Sequence, residues 1–370
     1  MSLEGELRLE VGWDGRQVTA VRTLSTRPQI AGIALRDLPS AEAVVLAGRL
    51  FALCGRAQST AAACATEASE GVTETEASAH ARDRVIAAEM AHEHFWHFLM
   101  EQPRQAGLAP RVTAMGRARV ALQPILDGAA QAGAGAASGV AAEEIYARAP
   151  GDWLALGDWE AFAAWTREAA TPVAARLGEI LADDGALGAS PVALMPPVDA
   201  NALRSGLAGP MARDKGFALA PHWDGEPRET GAAARRSGHR LVAEALRRFG
   251  RGVAARFVAR LVELAEVLAE LERATASRRH GAIAADDGDG IAWVETARGL
   301  LLHRARIEEG RVADYAIVAP TEWNFHPRGA FAAGAKAIAA RDEAELARRV
   351  RLVAASLDPC VAWRAEVAHA

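Results

Sequence analysis

Cysteine is scarce in this chain. Among 370 residues there are three, Cys54, Cys64 and Cys360, and no two of them form a Cys-x-x-Cys pair. The usual zinc and iron–sulfur spacings are therefore missing, and an odd number of thiols argues against a disulfide framework. A cysteine that matters here acts as a thiolate. Cationic excess is missing too. The net charge is −5, with acids and bases interspersed, so no basic face is offered to nucleic acid. No apolar run approaches the ~20 residues that span a bilayer. The opening Met1-Ser2-Leu3-Glu4-Gly5-Glu6 has neither the basic nor the apolar region of a signal peptide. These absences predict a soluble, cytoplasmic protein that binds neither nucleic acid nor membrane. Aromatic residues are only 5% of the chain.

What is present is alanine, with leucine, arginine and glutamate, inside a hydrophobic share of 51%. That content excludes a disordered chain and favours helix. The expected class is mainly α with small β hairpins (α+β). No repeat and no linker composition appears, so residues 1–370 are read as a single domain. Glu6 to Val11 alternates, Asp14-Gly15 is a turn signal, and Gln17 to Leu24 is extended again, which predicts a hairpin. Helices are predicted over Ala41–Leu53 with Ser40 as cap, Ala57–Glu70, and Ser78–Glu101 stopped by Pro103. Further helices fit Trp159–Leu181 with a kink at Pro172, Gly231–Ala274 with a break near Gly250 or Gly252, Phe331–Ala340 and Glu343–Leu357. Residues 128–140 and 275–290 are read as loops. Gly299–Ile307 and Arg311–Ala319 form a second hairpin around Glu308-Glu309-Gly310.

Cys54 lies in a break between two predicted helices, and Cys360 follows Asp358-Pro359 just beyond another. Both are places where a side chain can face a cleft. Cys64, mid-helix among alanines, reads as a small buried hydrophobe. Glu93 and His97 stand at i,i+4 and could ligate a metal, but Trp96 occupies the position that His-Glu-x-x-His needs, so a helix face with hydrogen-bonded histidines is the simpler reading. Asp286 to Gly290 begins like a calcium loop but has Ala297 where the twelfth-position glutamate belongs. Gly128, Gly133 and Gly135 follow no strand, so they make no dinucleotide fingerprint.

Seven segments, in order, resemble [NiFe]-hydrogenase large subunits. Leu3-Glu4-Gly5-Glu6-Leu7-Arg8 is similar to that family's Ile-Glu-Gly-His-x-Arg, and Leu53-Cys54-Gly55-Arg56-Ala57 to its Arg-x-Cys-Gly-x-Cys. His94-Phe95-Trp96-His97-Phe98 resembles His-x-x-His-Phe, and Glu229-Thr230-Gly231-Ala232-Ala233-Ala234-Arg235 resembles Glu-x-Gly-x-x-Ala-Arg. Glu295-Thr296-Ala297-Arg298-Gly299 is similar to Glu-Ala-Pro-Arg-Gly, and Ala319-Pro320-Thr321-Glu322-Trp323-Asn324-Phe325-His326-Pro327-Arg328 to Val-Pro-Thr-Thr-Trp-Asn-x-x-Pro-Arg. Ser356-Leu357-Asp358-Pro359-Cys360 resembles the terminal Ser-Phe-Asp-Pro-Cys.

The departures are specific. The second cysteine of each nickel-binding pair is replaced, by Ala57 and by Trp363. Glu366 stands for the terminal histidine and Ala52 for the first arginine. Alanine and tryptophan donate nothing to a metal, so the resemblance implies no nickel and no hydrogenase activity. The family's donors to the iron-bound diatomics correspond to Arg298 and to Pro320-Thr321. Cys54 and Cys360 remain as soft ligands, at the positions of terminal nickel thiolates. This combination resembles the HupK/HoxV-type hydrogenase maturation proteins. It implies a scaffold that transiently holds an Fe(CN)2(CO) unit at Cys54 and Cys360. The implied partners are a hydrogenase large-subunit precursor and iron-delivery maturation proteins. The absence of a C-terminal extension past Ala370 is expected for such an accessory protein, and Glu4 matches a family glutamate near the active site. Two other readings stay open: a metal-free chaperone that mimics a large subunit, and a mononuclear-metal enzyme at Cys54, Cys360 and His326.

Overall fold

The computed structural model describes residues 5–25, 30–51, 53–129, 133–285 and 288–369. Glu4, Ala52, Asp286 and Asp287 lie outside the described residues, and with them the expectations placed on that glutamate and on the start of a calcium loop.

The first predicted hairpin is present. Strands β1 (Glu6–Trp13) and β2 (Val18–Ser25) pair antiparallel, and Leu7, Leu9, Val11 and Trp13 point from β1 into the core. That alternation buries one face, which is what fixes the register. The second sheet is larger than expected. Strands β3 (His280–Ala284), β4 (Asp289–Thr296), β5 (Gly299–Glu308) and β6 (Arg311–Val318) form an antiparallel meander in that order. Residues 275–290, read as a loop, thus contribute β3 and the start of β4. Their polarity hid the strands. Asp289, for example, is buried but takes Arg304 Nη1 at 2.9 Å and Arg306 Nε at 2.9 Å. Strand β7 (Ala362–His369) lies parallel to β1, with Leu7 opposite Trp363 and Glu10 opposite Glu366. The two termini of the chain therefore share one sheet.

Around these sheets the chain is helical. The predicted breaks are observed: Trp159–Glu168 and Pro172–Glu179 are separated at Thr171, which caps the second, and Arg240–Phe249 gives way to Val253–Glu272. Glu343–Leu357 is helical as predicted, and the helix before it is Ala330–Lys336. Ser40 is the first helical residue of Ser40–Leu50 rather than a side-chain cap. Two expectations are corrected. Pro103 does not stop the long helix: Glu76–Trp96 runs through a π-helical turn, His97–Glu101, into Gln102–Gln105. The Leu99 carbonyl, which the Pro103 nitrogen cannot bond, accepts instead from the Arg111 N–H at 2.8 Å and so stays satisfied. Within 128–140, Ala134–Ala141 is a helix, because alanine propensity and the burial of Ala134, Ala137, Val140 and Ala141 outweigh the glycines.

Val253–Glu272 is the central helix, with apolar residues buried on all sides. It also carries Arg256, Arg260 and Glu263 into the interior. Arg256 grips Glu229 with two hydrogen bonds, 2.8 and 3.0 Å, where both side chains are at most 3% exposed. Removing one partner leaves the other charge buried alone. Arg256→Ala is therefore expected to lower stability by about 3–5 kcal/mol, read from urea unfolding midpoints, whereas Arg256→Met combined with Glu229→Leu is expected to recover much of the loss.

Candidate functional site

The Gly55–Ser69 helix starts directly after Cys54, which sits at its N-cap position. Gly55 is required there: a Cβ would stand 2.7 Å from the Gly48 carbonyl oxygen. The helix start is held from outside by Glu89, whose carboxylate accepts the backbone N–H groups of Arg56 and Ala57, each at 2.8 Å. These are donors a helix N-terminus leaves without intrahelical partners. At the other end of the chain, Asp358 closes the Glu343–Leu357 helix in a left-handed conformation (φ 54°), and Pro359 prevents continuation. Cys360 is thereby turned inward.

The two cysteines face one pocket. Cys54, Cys360, Arg298 and Pro320 line one pocket, together with Glu89 and Glu93 and the apolar Ile86 and Met90. Four of the five residues expected at the site are thus on a common surface. Thr321, the fifth, does not line it. Its Oγ1 lies 2.9 Å from Cys360 Sγ and accepts the Cys360 N–H at 3.0 Å, so the hydroxyl positions the thiol. His326 is not in the pocket either. Its Nδ1 accepts the Arg328 N–H at 2.9 Å, which removes the geometric basis for a metal at Cys54, Cys360 and His326.

The backbone around Arg298 is locked by three of the motifs. Gly299 adopts φ 135°, and a Cβ there would stand 2.4 Å from Thr230 Cγ2. Thr230 Oγ1 accepts the Leu300 N–H at 2.9 Å, and Asn324 Oδ1 accepts the Thr230 N–H at 2.9 Å. Arg298 itself bonds Glu93 through Nη1, and its Nε lies 3.4 Å from Asp358. Burial opposes its charge, but Asp358, Glu93, Glu101 and Cys360 outweigh that and hold its pKa well above the usual value. Nη2 of Arg298, also buried, finds no hydrogen-bond partner among the described residues. A charged donor in an apolar pocket is expensive unless something accepts from it.

Two residues the sequence reading missed back Cys54. Gln58, one turn on, donates Nε2–H to Cys54 Sγ at 3.5 Å. Its Oε1 takes His303 Nε2 at 2.8 Å, and His303 Nδ1 takes the Tyr315 hydroxyl at 2.7 Å. Burial pushes His303 down to about 3, so the ring is neutral and passes a single chain of donors from Tyr315 to the sulfur. Position i+4 from Cys54 was the available signal for Gln58, as i−4 from Glu93 was for Glu89. The Glu93/His97 pair does not form a joint site. Glu93 serves Arg298, and burial together with Arg260 holds His97 neutral beside Asp358, 3.8 Å away.

The positions that would complete a nickel site hold no donor. Ala57 is buried with its N–H spent on Glu89, and Trp363 lies on β7 opposite Leu7.

Comparison with known proteins fits this geometry. A family model for nickel-dependent hydrogenases matches residues 239–364. The hydrogenase expression/formation protein HoxV of Cupriavidus necator is 31% identical, over 93% of this chain and 92% of that protein. The hydrogenase expression/formation protein HupK of Rhizobium leguminosarum bv. viciae is 32% identical, over 89% and 87%. The chain belongs to this HoxV/HupK family of hydrogenase expression/formation proteins. Its fold is that of the hydrogenase large subunit: the reduced, active Ni-Fe-Se hydrogenase of Desulfomicrobium baculatum superposes with a TM-score of 0.62 at 16% identity, covering 95% of each chain. In this family member no helix among the described residues is long and apolar enough to cross a membrane.

Glu89 supplies a pH test. Burial raises its pKa to about 7, against the two N–H groups that favour the carboxylate. The folded state then holds a proton that the unfolded chain has released above about pH 4.5, so this group's contribution to stability falls as pH rises from about 4.5 to about 7. Glu89→Gln is expected to flatten that fall by roughly 2 kcal/mol, compared by urea midpoints at about pH 5 and about pH 8. Glu101, raised to about 8 by burial and by Asp358, contributes in the same direction in both proteins, so the difference between them isolates Glu89. Parallel profiles would contradict the assignment.

Proposed function

We propose that this protein is an assembly scaffold that holds an Fe(CN)2(CO) unit in transit to a hydrogenase large-subunit precursor, receiving it from iron-delivery maturation proteins in the cytoplasm. The observation that carries the reading is Arg298 Nη2, a buried cationic donor without an acceptor among the described residues, on a side chain that lines a pocket with two thiols. An iron-bound cyanide supplies the acceptor such a donor lacks. Cys54 and Cys360 supply soft thiolates suited to low-spin iron. Gln58 and Thr321 orient the two sulfurs, and Glu89, titrating near neutrality beside them, can take a proton released as a thiol becomes a ligand. The iron unit is cargo. With Ala57 and Trp363 in place of the second cysteine pair, the pocket offers no nickel half and no hydrogen chemistry, so the protein is read as non-catalytic.

A metal-free chaperone that only mimics a large subunit is the competing reading, and infrared spectroscopy separates them. Protein purified anaerobically from a hydrogenase-producing host is expected to show two cyanide bands and one carbonyl band. Both sets should vanish in the Cys54→Ala/Cys360→Ala variant, along with support of hydrogenase maturation. Arg298→Lys keeps a charge but loses the fork, and should shift the cyanide bands and weaken retention about tenfold. A wild-type protein that lacks these bands yet supports maturation, unaffected by loss of both cysteines, would overturn the scaffold in favour of the chaperone.

A further inference from the structure

Farther along the Gly55–Ser69 helix, away from the pocket of Cys54, a second group of metal-ligating side chains meets. Cys64 Sγ, a carboxylate oxygen of Glu74 and a ring nitrogen of His280 lie within 4.8 Å of one another. They come from the helix, from the segment preceding Glu76–Trp96, and from the first residue of β3. Cys64 and His280 are buried, Glu74 is half-buried, and all three line a cleft open to solvent, which gives an ion a way in. The sequence reading treated Cys64 as a packing residue.

The side chain that sets this cluster apart is Asp83. Its Oδ1 lies 2.7 Å from His280 Nδ1 and also accepts the Arg279 N–H at 2.8 Å. The ring is thereby fixed with Nε2 toward Glu74, 2.9 Å away. A buried carboxylate on one ring nitrogen, with the other aimed at a cysteine and a glutamate, is how a histidine ligand is oriented. Arg82 Nη1 stands 3.3 Å from Cys64 Sγ and is itself held by Glu67 and Glu74. The thiolate with Glu67, Glu74 and Asp83 can balance a dication together with Arg82 and the more exposed Arg278.

We propose that Cys64, Glu74 and His280 bind a zinc-class divalent transition ion, with the fourth coordination position open to the cleft. One sulfur, one nitrogen and one oxygen suit such an ion, and tetrahedral ligand atoms stand about 3.3–3.8 Å apart, so closing the site takes side-chain shifts on the order of 1 Å. Binding expels the Nε2 proton of His280 and the thiol proton of Cys64 to solvent. Burial disfavours charge on His280, but Asp83, Cys64 and Glu74 hold its pKa at about 10, so ion and proton compete for the site.

The test is a cobalt(II) titration of the full-length chain carrying Cys54→Ser and Cys360→Ser, which removes the other thiols. One equivalent of cobalt is expected to give a thiolate-to-cobalt charge-transfer band and the intense visible bands of a tetrahedral ion. Adding Cys64→Ser should abolish the charge-transfer band without changing the far-ultraviolet circular dichroism, and adding Asp83→Asn should weaken binding about ten- to hundredfold. No charge-transfer band in the parent, or one that survives Cys64→Ser, would overturn the proposal.

Discussion

Charge buried in a protein interior must be paired, and the central helix, Val253–Glu272, brings three such charges with it. Arg256 takes Glu229, Arg260 stands 3.1 Å from Asp358, and Glu263 takes Arg235 with two hydrogen bonds of 2.7 Å while also meeting His94 at 2.9 Å. Arg235 continues to Glu295 at 2.7 Å. The partners belong to four motifs spread along the chain, those of His94, of Glu229 and Arg235, of Glu295 and of Asp358. None of these motifs can move without stranding an ion in the core, so segments far apart in sequence are held in one arrangement. Specific pairing, more than hydrophobic area, explains why they must all be present together.

The pocket is a consequence of that network. Asp358 is tied to Arg260 and Arg298, which sets the end of the Glu343–Leu357 helix and so the direction of Cys360. Arg298 is tied to Glu93, which stands one turn after the Glu89 that holds the Cys54 helix. The thiols therefore converge from opposite ends of the chain through charge pairs made elsewhere along it. The missing half of the large-subunit site is equally local. The side chains of Ala57 and Trp363 carry no charge and take part in none of these pairs, so the two positions without a sulfur lie outside the network that holds the fold.

Much of this was legible in the sequence. Ordered motifs pointed to the fold, the Asp14-Gly15 turn placed the first hairpin, Pro172 the break, and the helix Glu343–Leu357 was expected where it lies. Cys54, Cys360, Arg298 and Pro320 were expected together and are together. What stayed hidden had physical causes. Strand β3 is a short apolar run set between polar residues, and β4 opens on Asp289, a charge satisfied across the sheet by Arg304 and Arg306. Strand β7 pairs with a partner at the opposite end of the chain, which no local pattern announces. Gln58, His303 and Glu89 are ordinary residues whose importance comes only from what they face. Thr321 was expected to face the cargo and instead braces Cys360, because its hydroxyl sits within reach of both the sulfur and the N–H of that residue.

The central claim is that the two cysteines hold a low-spin iron unit. Mössbauer spectroscopy of protein isolated anaerobically from a hydrogenase-producing host grown on isotope-enriched iron tests it most directly. The account predicts one diamagnetic, low-spin iron(II) species at up to one per chain, absent when Cys54 and Cys360 are both replaced. High-spin iron of the kind bound by simple thiolates, or an iron signal indifferent to the two cysteines, would contradict it.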